Sequence, residues 1–333
     1  MKLLRWYVAR SLAVVGGVVL LALAYSFFAW NSESVLNWRH SLLTEFQRTV
    51  VTLNLSGLDT TPLFLIPDDK IITPMTIRHG LWEANETYWF CRSIGPGDTF
   101  VDVGANVGYF TVLAAQIVGD SGHIYAFEPN PEAFAMLQKN VRLNGLTNVT
   151  LEQKAVSNAP GELELYLATE NKGDHRIFQA RGESRESVTV ETVVLDEYFK
   201  GRESEINFIK VDTQGAEGVI VEGMKQIVQT NPQLRIAIEF SPWHLGEFGF
   251  DPGKLVDMLE AVEFRSFDLG RGLPRIDPLV PLTPRQALQR YAGKGPDAFT
   301  NLLMVRSDVV FNPQAPPVGE HRREATFCPI PKI

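Results

Sequence analysis

Acidic residues follow several apolar runs of this chain, and a glycine-rich turn follows the first of them. The run Thr99–Val101 leads into Asp102, after which the chain places Gly104, Asn106 and Gly108 at alternate positions. The two glycines lack a Cβ, so the backbone there can take positive φ and lie close to a bound molecule at a helix N-terminus. The pattern predicts a strand, a ligand-binding turn and a helix.

The spacing of this turn differs from the dinucleotide fingerprint G-x-G-x-x-G. Asp102, at the strand end, would repel a pyrophosphate but attract the cationic amino group of S-adenosylmethionine. The next apolar run, Gly122–Phe127, ends on Glu128, which is placed to accept both ribose hydroxyls of a nucleoside. A connecting turn without a ligand, and a helix-terminal charge at Glu128, are the structural alternatives, although Asn130 already supplies a helix cap.

Two further acids lie at the ends of later apolar runs. Ile206–Val211 ends on Asp212, and Leu234–Phe240 contains Glu239. Strands that alternate with helices indicate a mostly parallel sheet with helices on both faces. Ligands of such sheets bind at the carboxyl ends of the strands, where all four acids fall.

Composition excludes several classes of function. The chain has 333 residues, 45% of them hydrophobic and 21% charged, and a net charge of -8. These values describe a globular protein and argue against nucleic acid as a partner. Cys91 and Cys328 form neither a disulfide framework nor a zinc set, and the six histidines show no metal-binding spacing. We expect no metal.

The first thirty residues predict a membrane anchor. Ser11–Trp30 contains no charged residue and, as a helix, would span about 30 Å, the thickness of the hydrocarbon core. A cleaved signal peptide ending near Ala22–Ala24 is the alternative. Basic residues before the span weakly favour an external body, whereas S-adenosylmethionine is cytosolic. We expect a single-pass membrane protein with a cytoplasmic catalytic domain.

The rest of the chain divides by composition. We expect a connecting helix over 31–59, one domain over 60–310 and a loosely ordered tail over 311–333. The pattern also predicts short strands at 62–67 and 70–73 and a continuous third strand over 149–156. Two polar stretches, 169–187 and 270–295, are expected to be loops, the first mobile and the second a substrate lid.

Five motifs in order resemble the FkbM family of S-adenosylmethionine-dependent methyltransferases. They are VDVGANVGYF from Val101, FEPNPEAF from Phe127, KAVSNAPGELELYL from Lys154, IKVDTQGAEGVIVEGM from Ile209 and AIEF from Ala237. The resemblance covers roughly residues 81–304. It implies a class I methyltransferase, Rossmann-like α/β fold with a mostly parallel seven-stranded sheet, and methyl transfer to a hydroxyl of a sugar, glycolipid or secondary metabolite.

The resemblance also assigns residues by position. Asp102, Gly104, Asn106 and Gly108 match the first cofactor motif, Glu128 matches the ribose-binding acid, and Asp212 begins the motif after the fourth strand. This chain has Gln214 where the family often has an acid. It has Lys154 where related folds often place an acid for the adenine amino group, so contacts to adenine must come from elsewhere.

Methyl transfer to a hydroxyl requires a group that positions the oxygen and helps to remove its proton. Asp212, His175 and Glu239 are the candidates. Each has a structural alternative: Asp212 as a helix-capping carboxylate, His175 as an exposed loop residue, and Glu239 as part of the packing around Trp243.

Two other classes of function stay open at this point. An NAD-dependent oxidoreductase also binds ribose through an acid, but the third glycine of its fingerprint and a Tyr-x-x-x-Lys pattern are missing here. A membrane-tethered module that binds the cofactor without catalysis is the other alternative. The oligomeric state and the acceptor are not readable from the sequence.

Overall fold

The computed structural model of the chain describes residues 50–53, 61–270, 278–307, 309 and 311. The predicted membrane helix at 11–30, the predicted connecting helix apart from residues 50–53, and the predicted tail beyond residue 311 lie outside these ranges. No helix within the described ranges combines the length and apolarity needed to cross a bilayer.

Thirteen strands are described. They are β1 Val50–Leu53, β2 Thr61–Phe64, β3 Thr99–Val103, β4 His123–Phe127, β5 Val149–Glu152, β6 Ala155–Val156, β7 Gly161–Tyr166, β8 Ser187–Val193, β9 Phe208–Val211, β10 Arg235–Phe240, β11 Phe264–Asp268, β12 Val280–Pro281 and β13 Thr300–Arg306.

Ten α-helices are described between them. They are α1 Ile72–His79, α2 Ala84–Ser93, α3 Tyr109–Val118, α4 Pro131–Leu143, α5 Leu195–Tyr198, α6 Glu217–Gly223, α7 Lys225–Thr230, α8 Pro242–Phe248, α9 Pro252–Glu260 and α10 Pro284–Tyr291. The local signals explain several of these bounds: Asn130 accepts a hydrogen bond from the Ala133 backbone N–H, Pro131 follows as the first helical residue, and Gly145 takes φ 62° after α4.

An eight-stranded sheet runs through the centre in the order β5-β4-β3-β9-β10-β13-β11-β12. The pairs from β5 to β10 are parallel, and β13 pairs antiparallel with both β10 and β11. The predicted α/β fold with a mostly parallel sheet is therefore confirmed. The predicted number of seven strands is one short, because the two-residue strand β12 adds an edge beside β11.

Alternation along the strands places apolar side chains on both faces of the sheet. Phe100 and Phe208 face a core shared with α2 and α3, whereas Val101 and Ile209 face a core shared with α6 to α10. Strands buried on both faces in this way are expected where helices cover both sides of a parallel sheet. The predicted helical layers on both faces are present.

A second sheet interrupts the predicted third strand. Residues 149–156 divide into β5, which belongs to the main sheet, and β6, which pairs with β8. The strands β6, β8 and β7, which lie between β5 and β9 in chain order, form a separate three-stranded sheet. In this sheet β7 pairs antiparallel with β8, and β6 pairs parallel with β8.

Three segments have a secondary structure that differs from the predicted one. Residues 70–73 lead into helix α1 instead of forming a strand, and residues 50–53 form strand β1 instead of helix. The predicted lid loop at 270–295 contains β12 and helix α10, and its residues 271–277 lie outside the described ranges. Thr283 and Gln286 form a capping box around Pro284, a helix start that the proline-rich composition concealed.

Candidate functional site

The glycine turn between β3 and α3 is wedged between the ends of two neighbouring strands. The backbone N–H groups of Gly104 and Ala105 both donate to the Phe127 carbonyl oxygen, at 3.0 Å. Gly104 has φ 84°, and a Cβ there would overlap the Asp212 carbonyl oxygen. Only glycine fits this position, because both the backbone angle and the space exclude a side chain.

Glu128 follows β4 and joins the glycine turn to the start of α4. Its carboxylate accepts the Asn106 backbone N–H at 2.7 Å and the Asn130 backbone N–H at 2.8 Å. The residue is 5% exposed. Burial raises the pKa of Glu128 to about 7 although both hydrogen bonds act to lower it.

A cavity that opens to solvent lies at the carboxyl ends of β3, β4 and β9, and the empty space in it and at its mouth amounts to about 560 Å³. Five of the predicted site residues line it: Gly104, Asn106, Glu128, His175 and Asp212. Its other lining residues come from the ends of β3 and β4, from β6 and β7, from the segment after β7 and from the loop after β9: Val103, Phe127, Pro129, Lys154, Ala155, Val156, Leu165, Lys172, Gly173, Ile177, Thr213, Gln214 and Ala216. The topology therefore brings most of the predicted site together.

Asp102 and Gly108 lie beside the cavity and do not line it. Asp102 is 1% exposed, and its carboxylate accepts the Thr111 hydroxyl at 2.6 Å, which ties β3 to α3. Burial raises the pKa of Asp102 to about 6. Gly108, at φ 89°, leaves room for the Leu137 side chain of α4. Direct cofactor contact by either residue stays a prediction.

Asp212 lies at the end of β9 and is paired with a buried lysine. Lys210 Nζ lies 2.7 Å from Asp212 Oδ2 and 3.5 Å from Glu86 Oε1, and its side chain is 4% exposed. It also lies over the Phe110 ring, 4.6 Å from the centroid. Burial raises the pKa of Asp212, but Lys210 and the hydrogen bonds to the carboxylate outweigh it and hold the pKa below its usual value. Asp212 is therefore ionised at neutral pH.

Glu239 is a weaker candidate for a base. It lies outside the cavity lining, is 4% exposed, and accepts the Gln214 side-chain N–H at 2.6 Å. Gln214 also donates to Asp212 at 3.2 Å, so one amide links the two acids. Burial and then the charge of Asp212 raise the pKa of Glu239 well above its usual value. Such a raised pKa makes Glu239 harder to ionise than Asp212.

Glu86 of α2 and Glu83, which directly precedes this helix, complete the cluster and were missed in the sequence. Glu86 contacts Lys210 and also accepts a hydrogen bond from Asn301. Burial and then the charge of Glu86 raise the pKa of Glu83 well above its usual value. No local signal marks either residue, because their position depends on how α2 packs against the ends of β9 and β13.

Backbone strain concentrates at this site. Among the described residues, three that are not glycine have positive φ: Glu83 at 44°, Asn106 at 51° and Gln214 at 56°. Asn106 and Gln214 line the cavity, and Glu83 belongs to the acidic cluster. Left-handed conformations of such residues cost about 1–3 kcal/mol each and persist where the surrounding structure enforces them. Their placement supports this cavity as the functional site.

The stretch 169–187, predicted to be a mobile loop, is held by many polar contacts. Asp174 pairs with Arg176 at 2.7 Å and with Arg185 at 2.9 Å, and Arg176 is 6% exposed. Closer to the cavity, the Lys172 carbonyl accepts the Asn106 side-chain N–H at 3.2 Å, and the Lys172 N–H donates to Asp69 at 2.9 Å. We call residues 169–175 the crossing segment, since they connect the glycine turn to the end of β7.

His175 belongs to the crossing segment and lines the cavity. Its Nδ1 accepts the Ala168 backbone N–H at 2.9 Å. Burial, followed by the charge of Lys172, lowers the pKa of His175 to about 4, so the ring is neutral at pH 7. Because Nδ1 is an acceptor, the proton of the neutral ring lies on Nε2. His175 therefore presents a donor, which argues against its predicted role as a base.

No group of three or more His, Cys, Asp or Glu residues within the described ranges is arranged to hold a metal ion. Asp212 and Glu239 are joined through an amide and not by a shared cation. The expectation that the reaction needs no metal stays a prediction.

Comparison with known proteins matches the chain to methyltransferases. The family model described as the methyltransferase FkbM domain matches residues 102–266. Over 135 residues the chain is 28% identical to the hexuronic acid methyltransferase AglP of Haloferax volcanii, covering 40% of this chain and 52% of that protein. Over 52 residues it is 44% identical to the tRNA wybutosine-synthesizing protein 2 homolog of Danio rerio, covering 16% and 12%. The chain thus spans about half or less of the length of these relatives.

A solved structure of a SAM-dependent O-methyltransferase from Thermotoga maritima aligns with 78% of this chain and 93% of its own, at 13% identity and a TM-score of 0.39. A TM-score this low carries no argument about activity.

Proposed function

We propose, from the premise that residues 102–266 make this chain a member of the FkbM family of S-adenosylmethionine-dependent methyltransferases, that it methylates a hydroxyl of a sugar, glycolipid or related small molecule. The observation that carries the proposal is the buried carboxylate of Glu128 at the wall of a cavity formed beside the glycine turn. The NAD-dependent alternative is set aside because the family match is to methyltransferases.

The residues present fit S-adenosylmethionine. Gly104 lines the cavity with backbone alone, Glu128 supplies acceptors for ribose hydroxyls, and His175 carries a buried donor without a partner in the described structure. When bound, the cofactor supplies an electrophilic methyl group on a positively charged sulfur. The acids near Asp212 favour such a cation electrostatically.

Asp212 is the group we propose to act on the acceptor. It is ionised, lines the cavity, and its side chain is 27% exposed. Its carboxylate can hold the acceptor hydroxyl and take the proton as the oxygen–carbon bond forms and the sulfur–carbon bond breaks. Glu83 and Glu86 share the cation Lys210 with Asp212, and Glu239 is joined to Asp212 through the Gln214 amide. This surplus of acids supports a neutral hydroxyl over a carboxylate as the acceptor.

The relative named for hexuronic acid supports a sugar as the acceptor class. Purified protein is to be incubated with lipid and glycan extracts and with a cofactor that carries a deuterated methyl group. Mass spectrometry should find the label in material that resists mild base. Label that is lost in mild base would indicate a methyl ester and contradict the hydroxyl assignment. Tight cofactor binding with no label in any extract would support the non-catalytic alternative.

Cofactor binding itself is tested at Glu128. Glu128→Gln should weaken binding of S-adenosylhomocysteine by roughly 10- to 100-fold, because hydrogen bonds to a charged group contribute about 1.5–3 kcal/mol. Isothermal titration calorimetry measures this change. Glu162→Gln changes an exposed glutamate on β7 and should bind like the wild type. Equal affinity in Glu128→Gln and wild type would refute the ribose-binding role.

The same residue predicts a pH dependence. Burial raises the pKa of Glu128 to about 7, and ribose hydroxyls donate preferentially to the ionised form. Binding should therefore lower that pKa, release protons near pH 6.5 and strengthen as pH rises to about 7, then level off. Titrations in buffers of different ionisation enthalpy measure the released protons. Glu128→Gln should release none, and proton uptake by the wild type would contradict this sign.

We further propose that residues 11–30 anchor the chain in a membrane, with the catalytic domain on the cytoplasmic side where the cofactor is made. Protease treatment of intact cells, compared with lysed cells, tests the side. Digestion of the domain in intact cells would place it outside.

A further inference from the structure

His175 Nε2 is a buried hydrogen-bond donor without a partner in the described part of the chain. The ring lines the cavity, and its other nitrogen is engaged by the Ala168 N–H. A buried polar group that finds no partner costs about 1–3 kcal/mol. Such an atom at the wall of a binding cavity is best explained by a partner that arrives with the ligand.

Neighbouring side chains are engaged with one another and leave Nε2 free. The charged groups near the ring are Lys172, Asp174, Glu132 and Arg185. Lys172 pairs with Glu132 at 3.1 Å, and Asp174 pairs with both Arg176 and Arg185. The ligand therefore has to supply an acceptor.

Strand register locates His175 within the cavity. Tyr166 pairs with Arg176 in an isolated antiparallel bridge, so residues on either side of this pair project from the opposite face. Leu165, His175 and Ile177 share that face, and all three line the cavity. Ala155 of β6 packs in one apolar cluster with Leu165 and Ile177, and Val156 also lines the cavity. The donor thus lies beside an apolar surface that suits a flat aromatic ring.

Among the parts of S-adenosylmethionine, only the adenine base is flat and largely apolar on its faces, and its edge carries ring nitrogens that accept hydrogen bonds. Glu128 is already assigned to the ribose. At position 154, where an acid would accept from the adenine amino group, the chain has a lysine, which pairs with Glu191 at 3.1 Å. This chain therefore offers adenine a hydrogen-bond donor, His175 Nε2, in place of a carboxylate acceptor.

We propose that His175 binds the cofactor, donating a hydrogen bond from Nε2 to a ring nitrogen of adenine. The inference rests on the proposed function and deepens it. His175 is thus a specificity residue for the nucleobase and not the base that removes the acceptor proton.

Calorimetry with S-adenosylhomocysteine tests the contact. His175→Phe keeps the ring shape but removes the donor, and should weaken binding by roughly 5- to 50-fold. His175→Gln retains a side-chain N–H and should recover part of the loss. His79→Phe, at an exposed position in α1, is the matched control and should bind like the wild type.

Deaza analogues of S-adenosylhomocysteine identify the ring nitrogen. The compounds to test are the 1-deaza, 3-deaza and 7-deaza analogues. One of them should bind the wild type with the same reduced affinity that the natural compound shows for His175→Phe. The same analogue should bind His175→Phe with no further loss of affinity. Wild-type affinity that is unchanged for all three analogues would overturn the proposal, and this arm does not require the variant to fold.

Long-range ¹H–¹⁵N spectra of the full chain give a second readout that does not depend on activity. The His175 ring should show a protonated Nε2 and an unprotonated Nδ1, and the Nε2 proton should become protected from exchange when S-adenosylhomocysteine binds. A proton on Nδ1 would overturn the proposal. Wild type that binds no S-adenosylhomocysteine refutes the proposed function itself, whereas wild type that binds and His175→Phe that binds equally refutes this inference alone.

Discussion

Replacing Lys210 by methionine is expected to lower the free energy of unfolding at pH 7 by about 3–5 kcal/mol, because it leaves buried carboxylates without their cation. Lys210 Nζ contacts Asp212 and Glu86, and the charges of Glu83 and Asp102 also act on it. Burial lowers the pKa of Lys210, but these four acids outweigh it and raise the pKa well above its usual value. The Lys210 ammonium is therefore charged at neutral pH.

Urea denaturation followed by far-ultraviolet circular dichroism measures the loss. Lowering the pH to about 5.5 should recover part of the stability of Lys210→Met, since protonation of the carboxyls removes the uncompensated charge. Lys200→Met, at an exposed position, should change stability by less than about 0.5 kcal/mol. Adding Asp212→Asn and Glu86→Gln to Lys210→Met should restore stability non-additively. A loss below about 1 kcal/mol in the single variant would show that Lys210 does not neutralise the cluster.

Gly104→Ala is expected to weaken binding of S-adenosylhomocysteine by roughly 10- to 100-fold, because a displaced turn loses one or two hydrogen bonds to the ligand at about 1.5 kcal/mol each. The added methyl would overlap the Asp212 carbonyl oxygen, a backbone atom that cannot rotate away. Alanine also disfavours φ 84°. In the variant the end of β3 must move away from the end of β9. This displacement changes the positions of both Asp212 and the glycine turn.

Calorimetry and thermal denaturation together check this prediction. Gly246→Ala adds the same methyl in helix α8, where no atom lies within 4 Å of the new Cβ. It should retain wild-type affinity and lose no stability, since alanine favours helix. Native affinity in Gly104→Ala would mean that the turn is not part of the binding surface.

The parts of the fold that follow from local signals were predictable. The strand before Asp102, the helix that starts after Asn130 and the stop at Gly145 depend on neighbours within a few residues, and the structure has all three. The cavity could also be foreseen in outline, because acids at the ends of parallel strands converge on one edge of the sheet.

Features that depend on distant residues were not predictable. The charge of Asp212 is set by Lys210 and by hydrogen bonds to its carboxylate. Lys210 in turn contacts Glu86 of helix α2, and nothing in the local sequence of α2 signals this contact. The proton on His175 Nε2 follows from a backbone hydrogen bond to Ala168 that exists only once the crossing segment has folded. Sequence thus identified both groups but not their protonation, which decides what each can do.

Short apolar stretches gave a further error. Residues 149–156 read as one strand because both halves are apolar, yet the chain bends at Gln153–Lys154 and changes sheets. This change places Ala155 and Val156 on the cavity wall. Helix α10 was missed because the prolines and glycines around it indicated a loop, although Pro284 after Thr283 is also a helix-start signal.

The position of β13 imposes an order on biosynthesis. This strand is the last of the sheet to be translated, yet it lies between β10 and β11, which share no hydrogen bonds with each other. Until Thr300–Arg306 has left the ribosome, the backbone at one edge of β10 is unpaired, and β11 lacks β13, the strand that joins it to the rest of the sheet. A nascent chain in that state is exposed to aggregation, so synthesis that stalls before this strand should yield a product that requires chaperones to stay in solution.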